Sequence, residues 1–250
     1  MKMWALFAAS AALAAPARAD MTATYTMPGA GVPMTMTIQI ASNGDLRGDM
    51  TMTGVNKPMM IIRHQGRVYF VIPEPDGPLV ADVEEMAAAA EEEMRKADPH
   101  FCEQIAKAPP LAALVSQGQV TIAGRTGDAY SSGGRSPGSP DVVISRDPAL
   151  APLGAAMAAQ FRSSTKMMGS CAPGATVFAQ MQALLDKGAP LKFGPMTLEK
   201  VEEGRVDPSR FVLPAAPATH EQIRTLMQGK KGQPITVLPA QPPKARPPAP

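Results

Sequence analysis

The chain has 250 residues, 24 lysines and arginines against 22 aspartates and glutamates, and only two cysteines. So small a net charge is not the footprint of a nucleic-acid binder. A chain of this length buries one good core, as one large domain or two small ones.

The N-terminus, MKMWALFAASAALAAPARAD, reads as a secretory signal: Lys2, an apolar run from Met3 to Ala15, and Ala17-Arg18-Ala19 before Asp20. The thirteen residues of that run fall short of the roughly 20 that a spanning helix needs. No later run approaches that length, and no cysteine follows the cleavage point to carry a lipid. The expectation is a signal peptide over residues 1–19, cleaved after Ala19, and a periplasmic or secreted mature chain with no integral membrane segment. Cleavage removes Lys2 and Arg18 and no acids, leaving 22 basic against 22 acidic residues. In an oxidising compartment the two lone cysteines, Cys102 and Cys171, are expected to pair. Closing their 69-residue spacing restricts the unfolded chain by roughly 4 kcal/mol in the loop-entropy picture.

Residues 34 to 72 alternate with a period near two, which predicts half-buried strands. The stretch MTMTIQIASNGDLRGDMTMTG, Met34 to Gly54, holds two Met-Thr-Met triplets mirrored about Ser42-Asn43-Gly44. A two-residue Asn-Gly turn would set Met36 opposite Thr51. A three-residue loop with Gly44 left-handed instead pairs Ile40 with Leu46, Ile38 with Gly48, Met36 with Met50 and Met34 with Met52. A one-residue slip flips every side chain to the other face, so burial selects the second register. All four methionines then share one face. A second hairpin is predicted at Met59 to His64 and Arg67 to Ile72, turning at Gln65-Gly66. Its apolar residues occupy both parities, which predicts cover on both faces.

Helical spacing follows from Leu79 to Ala97, ended by Pro99, with a shorter helical piece from Phe101 to Val115 broken at Pro109-Pro110. Strands are predicted at Gln119 to Gly124, near Asp128 to Tyr130 and at Val142 to Ser145. Helices are predicted at Pro148 to Phe161 and Thr176 to Lys187. Short strands follow at Lys192 to Phe193, Thr197 to Glu202 and Phe211 to Leu213. Thr219-His220-Glu221-Gln222 reads as a capping box opening a last helix to Met227. The proline-rich end reads as a disordered tail over 229–250, leaving one domain over 20–228.

Catalytic signatures are missing from the sequence: no G-x-S-x-G, no H-E-x-x-H, no P-loop and no G-x-G-x-x-G. His64, His100 and His220 are far apart and read as ordinary exposed residues. Two readings other than packing remain for the methionines. Thioethers are soft and select Cu(I); they also make a pliable lining for ligands of varied shape. Against dedicated copper chemistry, methionine is this chain's general apolar filler, with 16 in the mature chain against 13 leucines.

An antiparallel meander, then helices that cross its concave side, then further strands: this order resembles the LolA-like half-barrel proteins of the bacterial periplasm. It is most similar to a secreted bacterial family of unknown function with that fold. The resemblance rests on Arg63-His64-Gln65-Gly66-Arg67-Val68-Tyr69-Phe70, on Gly188-Ala189-Pro190-Leu191, and on Val206-Asp207-Pro208-Ser209-Arg210-Phe211-Val212-Leu213-Pro214. It spans most of residues 22 to 215 and implies an α+β antiparallel half-barrel with helices over the concave face. It further implies an apolar interior that accepts acyl chains or hydrophobic segments. The expected function is non-enzymatic binding of a hydrophobic small molecule, lipid or lipoprotein, with no cofactor, no metal and no nucleic acid. The expected lining is Met34, Met36, Ile38, Ile40, Met50, Met52, Ile62 and Phe70. The alternatives are a methionine-rich Cu(I)-binding or copper-tolerance protein and an envelope structural protein with a filled core.

Overall fold

The computed structural model describes residues 20–28, 33–52, 59–100, 103, 112–132, 140–166 and 175–229. Cys102 and Cys171, the expected signal and the proline-rich tail beyond 229 lie outside the described residues, as does most of the helical piece expected after Phe101.

Eleven strands form one open antiparallel sheet: β1 (Met21–Met27), β2 (Met34–Ile40), β3 (Leu46–Met52), β4 (Met59–His64), β5 (Arg67–Ile72), β6 (Leu79–Asp82), β7 (Leu114–Ile122), β8 (Arg125–Ser132), β9 (Val142–Ser145), β10 (Ala189–Phe193) and β11 (Met196–Glu203). Their spatial order is β6-β5-β4-β3-β2-β1-β11-β10-β9-β8-β7. Strand β1 is therefore the seam between two meanders, pairing β2 on one side and β11 on the other. In a flat sheet β7 would stand about 19 Å from β11 at ordinary strand spacing. Instead β7 touches β11, and Val120 and Ile122 join the core beneath it. The sheet is curled, with its main core on the inner side.

Helices that accompany the sheet among the described residues are α1 (Val83–Ala97), α2 (Ala151–Lys166), α3 (Ala175–Leu185) and α4 (His220–Gly229). Helix α2 lies on the inner face, where Leu153, Ala156 and Met157 pack against Ala23, Tyr25, Ile38, Ile40, Leu46, Leu191 and Leu198. It seats closely because both surfaces carry glycine at the crossing: a Cβ on Gly154 would come 2.8 Å from the Gly188 carbonyl carbon. Helix α3 packs through Leu184 and Leu185 against Val142 and Ile144, the opposite parity of β9. Tyr25, wholly buried at the seam, donates its phenol to the Pro190 carbonyl at 2.7 Å. Burial pushes that phenol's pKa far above its ordinary value.

The outer face of the first meander is crossed by the chain after β11. Asp207 caps a 3-10 turn, Pro208–Phe211, by accepting from the Ser209 amide. Arg210 then reaches Asp49, at 2.7 Å, and Gln39, at 3.0 Å. Asp49 is 8% exposed and also takes the Arg47 guanidinium at 2.9 Å. Leu213 covers Ile62, Tyr69, Val71 and Val80. Further on, the Ala218 amide donates to Val80, so this strap protects the free edge of β6 from pairing with other chains. Helix α4 closes on α1 through Ile223, Met227, Ala89 and Met86.

Expectation and structure differ in four places. The Leu79–Ala97 segment opens as strand β6, because Val80 pairs with Val71 and buried Asp82 waits to cap the Glu84 and Glu85 amides. Leu114 and Val115, expected at the end of a helical piece, begin β7 opposite Ser132 and Ser131. Phe211 to Leu213 is not a strand, since the Asp207-Pro208 cap winds the preceding residues into the 3-10 turn. And β1 was not among the expected strands, although MTATYTM alternates as strictly as MTMTIQI.

Two outcomes are expected from this architecture. A Cβ on Gly188 would overlap the Ser145 carbonyl, so Gly188→Ala should lose about 2 kcal/mol or more in chemical denaturation. Gly204→Ala, with open space around it, should stay within about 0.5 kcal/mol. The second outcome concerns Asp20, which accepts the Val206 and Ser42 amides; the Val206 bond is the main reason its pKa lies below the ordinary 3.8. A lowered folded value gives stability that is present above the unfolded pKa and lost as pH falls through the folded one. Asp20→Ala should therefore be less stable than the wild type at pH 7, with the gap closing below about pH 4.

Candidate methionine-lined site

The β2–β3 turn fixes the site. The Gly44 amide donates to the Ala41 carbonyl and the Ala41 amide to Asp45, both at 2.9 Å, with Gly44 at φ +88°. That is the three-residue loop, and the register is the one that burial selects: Ile40/Leu46, Ile38/Gly48, Met36/Met50 and Met34/Met52. The second hairpin turns at Gln65 and Gly66, both with positive φ, as a two-residue loop matched to the strand twist.

Reading the pairings across the sheet gives rows on the inner face. One row is Met27, Met34 and Met52; the next is Tyr25, Met36, Met50 and Met59. Then follow Ala23, Ile38, Gly48, Ile61, Phe70 and Ala81, and finally Met21, Ile40, Leu46, Arg63 and Val68. Seven of the eight residues expected to line a ligand thus share one face. Ile62 does not. It stands in the row of Gln39, Arg47 and Tyr69 on the outer face, buried beneath Leu213. The second hairpin is apolar on both parities, so alternation does not distinguish its two faces, and the strap that covers the outer one comes from about 150 residues later.

Burial is graded along the rows. Ile40 and Leu46 are 3% and 1% exposed and Ile38 is fully buried, all beneath α2. Met36 is 9% exposed, and its methyl lies in the space that a Cβ on Gly48 would claim, 3.1 Å away. Met34 and Met50 are half-buried, and Met52 and Met59 reach 43% and 47%. Phe70 is half-buried. The turn end of this face is therefore filled core, while the other end opens as a rim of thioethers. Met27 and Met59, absent from the expected lining, belong to that rim. The alternation of β1 was the signal for Met27; Met59 had none, lying in the strand with both parities apolar.

The rim is chemically soft and carries no acidic or basic side chain in its two methionine rows. Among the described residues no group of three or more His, Cys, Asp or Glu is placed to hold a metal. Met34/Met52 and Met36/Met50 are cross-strand neighbours, positions whose side chains lie close enough to interact, and thioethers are soft ligands that select Cu(I). The histidines each face a carboxylate: His64 to Asp45 at 3.0 Å, His100 to Glu103 at 3.3 Å, and His220 to Glu85 at 3.2 Å. Among the described residues no helix is long and apolar enough to cross a membrane.

The gradient predicts a contrast between two identical substitutions. Met36→Lys places a charge in packed core and should lose about 3 kcal/mol or more. Met52→Lys, whose ammonium reaches water, should stay within about 0.5 kcal/mol. Thermal denaturation of the two variants checks it, and equal losses would show that the rim is closed.

Compared with protein-family models, curated proteins and solved structures, the chain finds no match.

Proposed function

We propose that this chain is a non-enzymatic, periplasmic binding protein for a hydrophobic ligand, an acyl chain carried by a lipid or by a lipid-modified partner. The observation that carries the reading is the rise in exposure along one continuous apolar face, from Leu46 at 1% to Met59 at 47%. An acyl chain laid on the open end meets Met34, Met50, Met52 and Met59, and abuts core that α2 has already filled. Each methylene removed from water there contributes about 0.8 kcal/mol. Unbranched, polarisable methionine lets the rim adapt to chains of different shape. A LolA-like half-barrel would use its concave side in the same way, and the signal-like N-terminus would deliver the chain to a compartment where lipids need carriers.

A second reading keeps one specific observation in its favour: the thioethers of Met34 and Met52 face one another in register at the exposed end. A Cu(I) ion would bind there by sulfur alone.

One titration pair separates the two. The wild type should bind an uncharged fluorescent acyl ester, the Met52→Lys/Met59→Lys double variant should lose that binding, and Thr51→Lys, on the exposed outer face, should retain it. Competition against a Cu(I) chelator should show only weak binding. Tight one-to-one Cu(I) binding lost in Met34→Leu/Met52→Leu, with no acyl-ester uptake by the wild type, would put copper first.

A further inference from the structure

Three of the clefts on the described surface differ in charge. One, of about 390 Å³ between β8 and β9, mixes Arg146 with Asp128 and Asp147. Another, of about 360 Å³ beside α4, mixes Arg67 and His220 with Asp82 and Glu85. The third, of about 310 Å³, lies between the β2–β3 turn and α2, and its lining has two arginines and no acid. Its floor is Ile40 with Ala155, Ala156 and Ala159, and its walls are Ser42 to Gly44, Arg63 and Arg162.

Arg63 is the unusual member. It belongs to the inner face, paired across the sheet with Leu46 and Val68, and it is half-buried. Its Nη1 donates to the Gly44 carbonyl at 2.7 Å, and it forms no ion pair with any described residue. The acids of the neighbouring turns are engaged elsewhere. Asp45 takes the His64 ring at 3.0 Å and the Gln65 amide at 3.3 Å; Asp20 takes the Ser42 and Val206 amides. Arg162, at the rim, holds Asp186 at 2.7 Å and is about half exposed. A half-buried guanidinium with one carbonyl acceptor keeps donors to spare.

We infer that this cleft binds a small organic anion, a carboxylate or phosphate monoester whose charged group meets Arg63 and Arg162 and whose short alkyl body lies along α2 at Ala155 and Ala159. Guanidinium matches both headgroups with paired, charge-assisted hydrogen bonds. The alanines leave the floor low enough for an alkyl chain and give it an apolar surface. This site is distinct from the methionine rim: Ile40 and Met34 are opposite ends of β2, about 20 Å apart at strand rise. Failure of acyl binding at the rim therefore leaves this inference standing, and the reverse holds too.

Amide-resolved NMR titration tests it with hexanoate and hexyl phosphate, with inorganic phosphate as the headgroup alone and hexanol as the uncharged control. The expected result is saturable shifts at Ser42, Asn43, Gly44, Ala155 and Ala159 with both alkyl anions, weaker ones with phosphate, and none with hexanol. Ala155 is exposed on α2, so Ala155→Glu brings a repelling carboxylate to the cleft without disturbing packing. It should weaken hexanoate binding about tenfold or more, as should Arg63→Gln, while Arg63→Lys keeps part of the affinity. Shifts confined to the methionine end, equal shifts with hexanol, or unchanged affinity in Ala155→Glu would each overturn the assignment.

Discussion

The left-handed backbone at Gly44 is the constraint on which the inner face depends. Side chains along a strand alternate between faces, so a loop one residue shorter would turn β3 over against β2. Leu46, Met50 and Met52 would then face outward, and Arg47, Asp49 and Thr51 would press into α2. Each error is costly in its own way: apolar area returned to water on one side, and on the other an Arg47–Asp49 ion pair pressed into apolar core away from Arg210. The correct register also sets Gly48 opposite Ile38, and so leaves the gap that the Met36 methyl fills. One turn residue thus decides where the core ends and where the open rim begins.

The outer face shows how a buried acid is tolerated a few ångströms from that core. Asp49 is almost sealed, but Arg47 from its own strand and Arg210 from the strap both reach its carboxylate. Arg210 needs its own positioning, which comes from the 3-10 turn capped by Asp207 and from Gln39 beneath it. A buried ion pair of this kind adds little net stability over an apolar pair, but it is unforgiving of misplacement. Its consequence is registry: the strap can cross the sheet at one position only, and that position sets Leu213 over Ile62 and delivers α4 to α1.

Much of this was legible in the residues. The β2–β3 register followed from burial alone, the Gln65-Gly66 turn from its residue types, and the Thr219/Gln222 cap from its spacing; the cap is reciprocal in the structure, at 2.8 and 3.3 Å. What escaped notice were features decided by distant partners. Ile62 looked like lining because nothing local to β4 announces that Leu213 will cover it. Val80 sits at helical spacing with Val83 and Ala87, yet its pairing with Val71 holds it in a strand until Asp82 starts the helix. Strand β1 is a different case. Its alternation was plain, but it follows directly on the signal-like segment, where the eye expects processing rather than structure.

The threonines explain why the methionines can be so regular. On β1, β2 and β3 they occupy the parity opposite the methionines, and the pairings stack them across the sheet: Thr26 beside Thr35, which faces Thr51, and Thr24 beside Thr37, which faces Asp49. A β-branched side chain favours the strand through its stiff χ1, and a hydroxyl keeps the outward surface wet. Methionine, unbranched, favours the strand much less. Alternating the two lets threonine hold the backbone extended while methionine supplies soft apolar surface on the other side. A rim of Val or Ile would have held the strand as firmly but offered a stiffer wall. The Met-Thr repeat is therefore a division of labour between faces, with rigidity on the solvent side and compliance on the side that opens at Met52 and Met59.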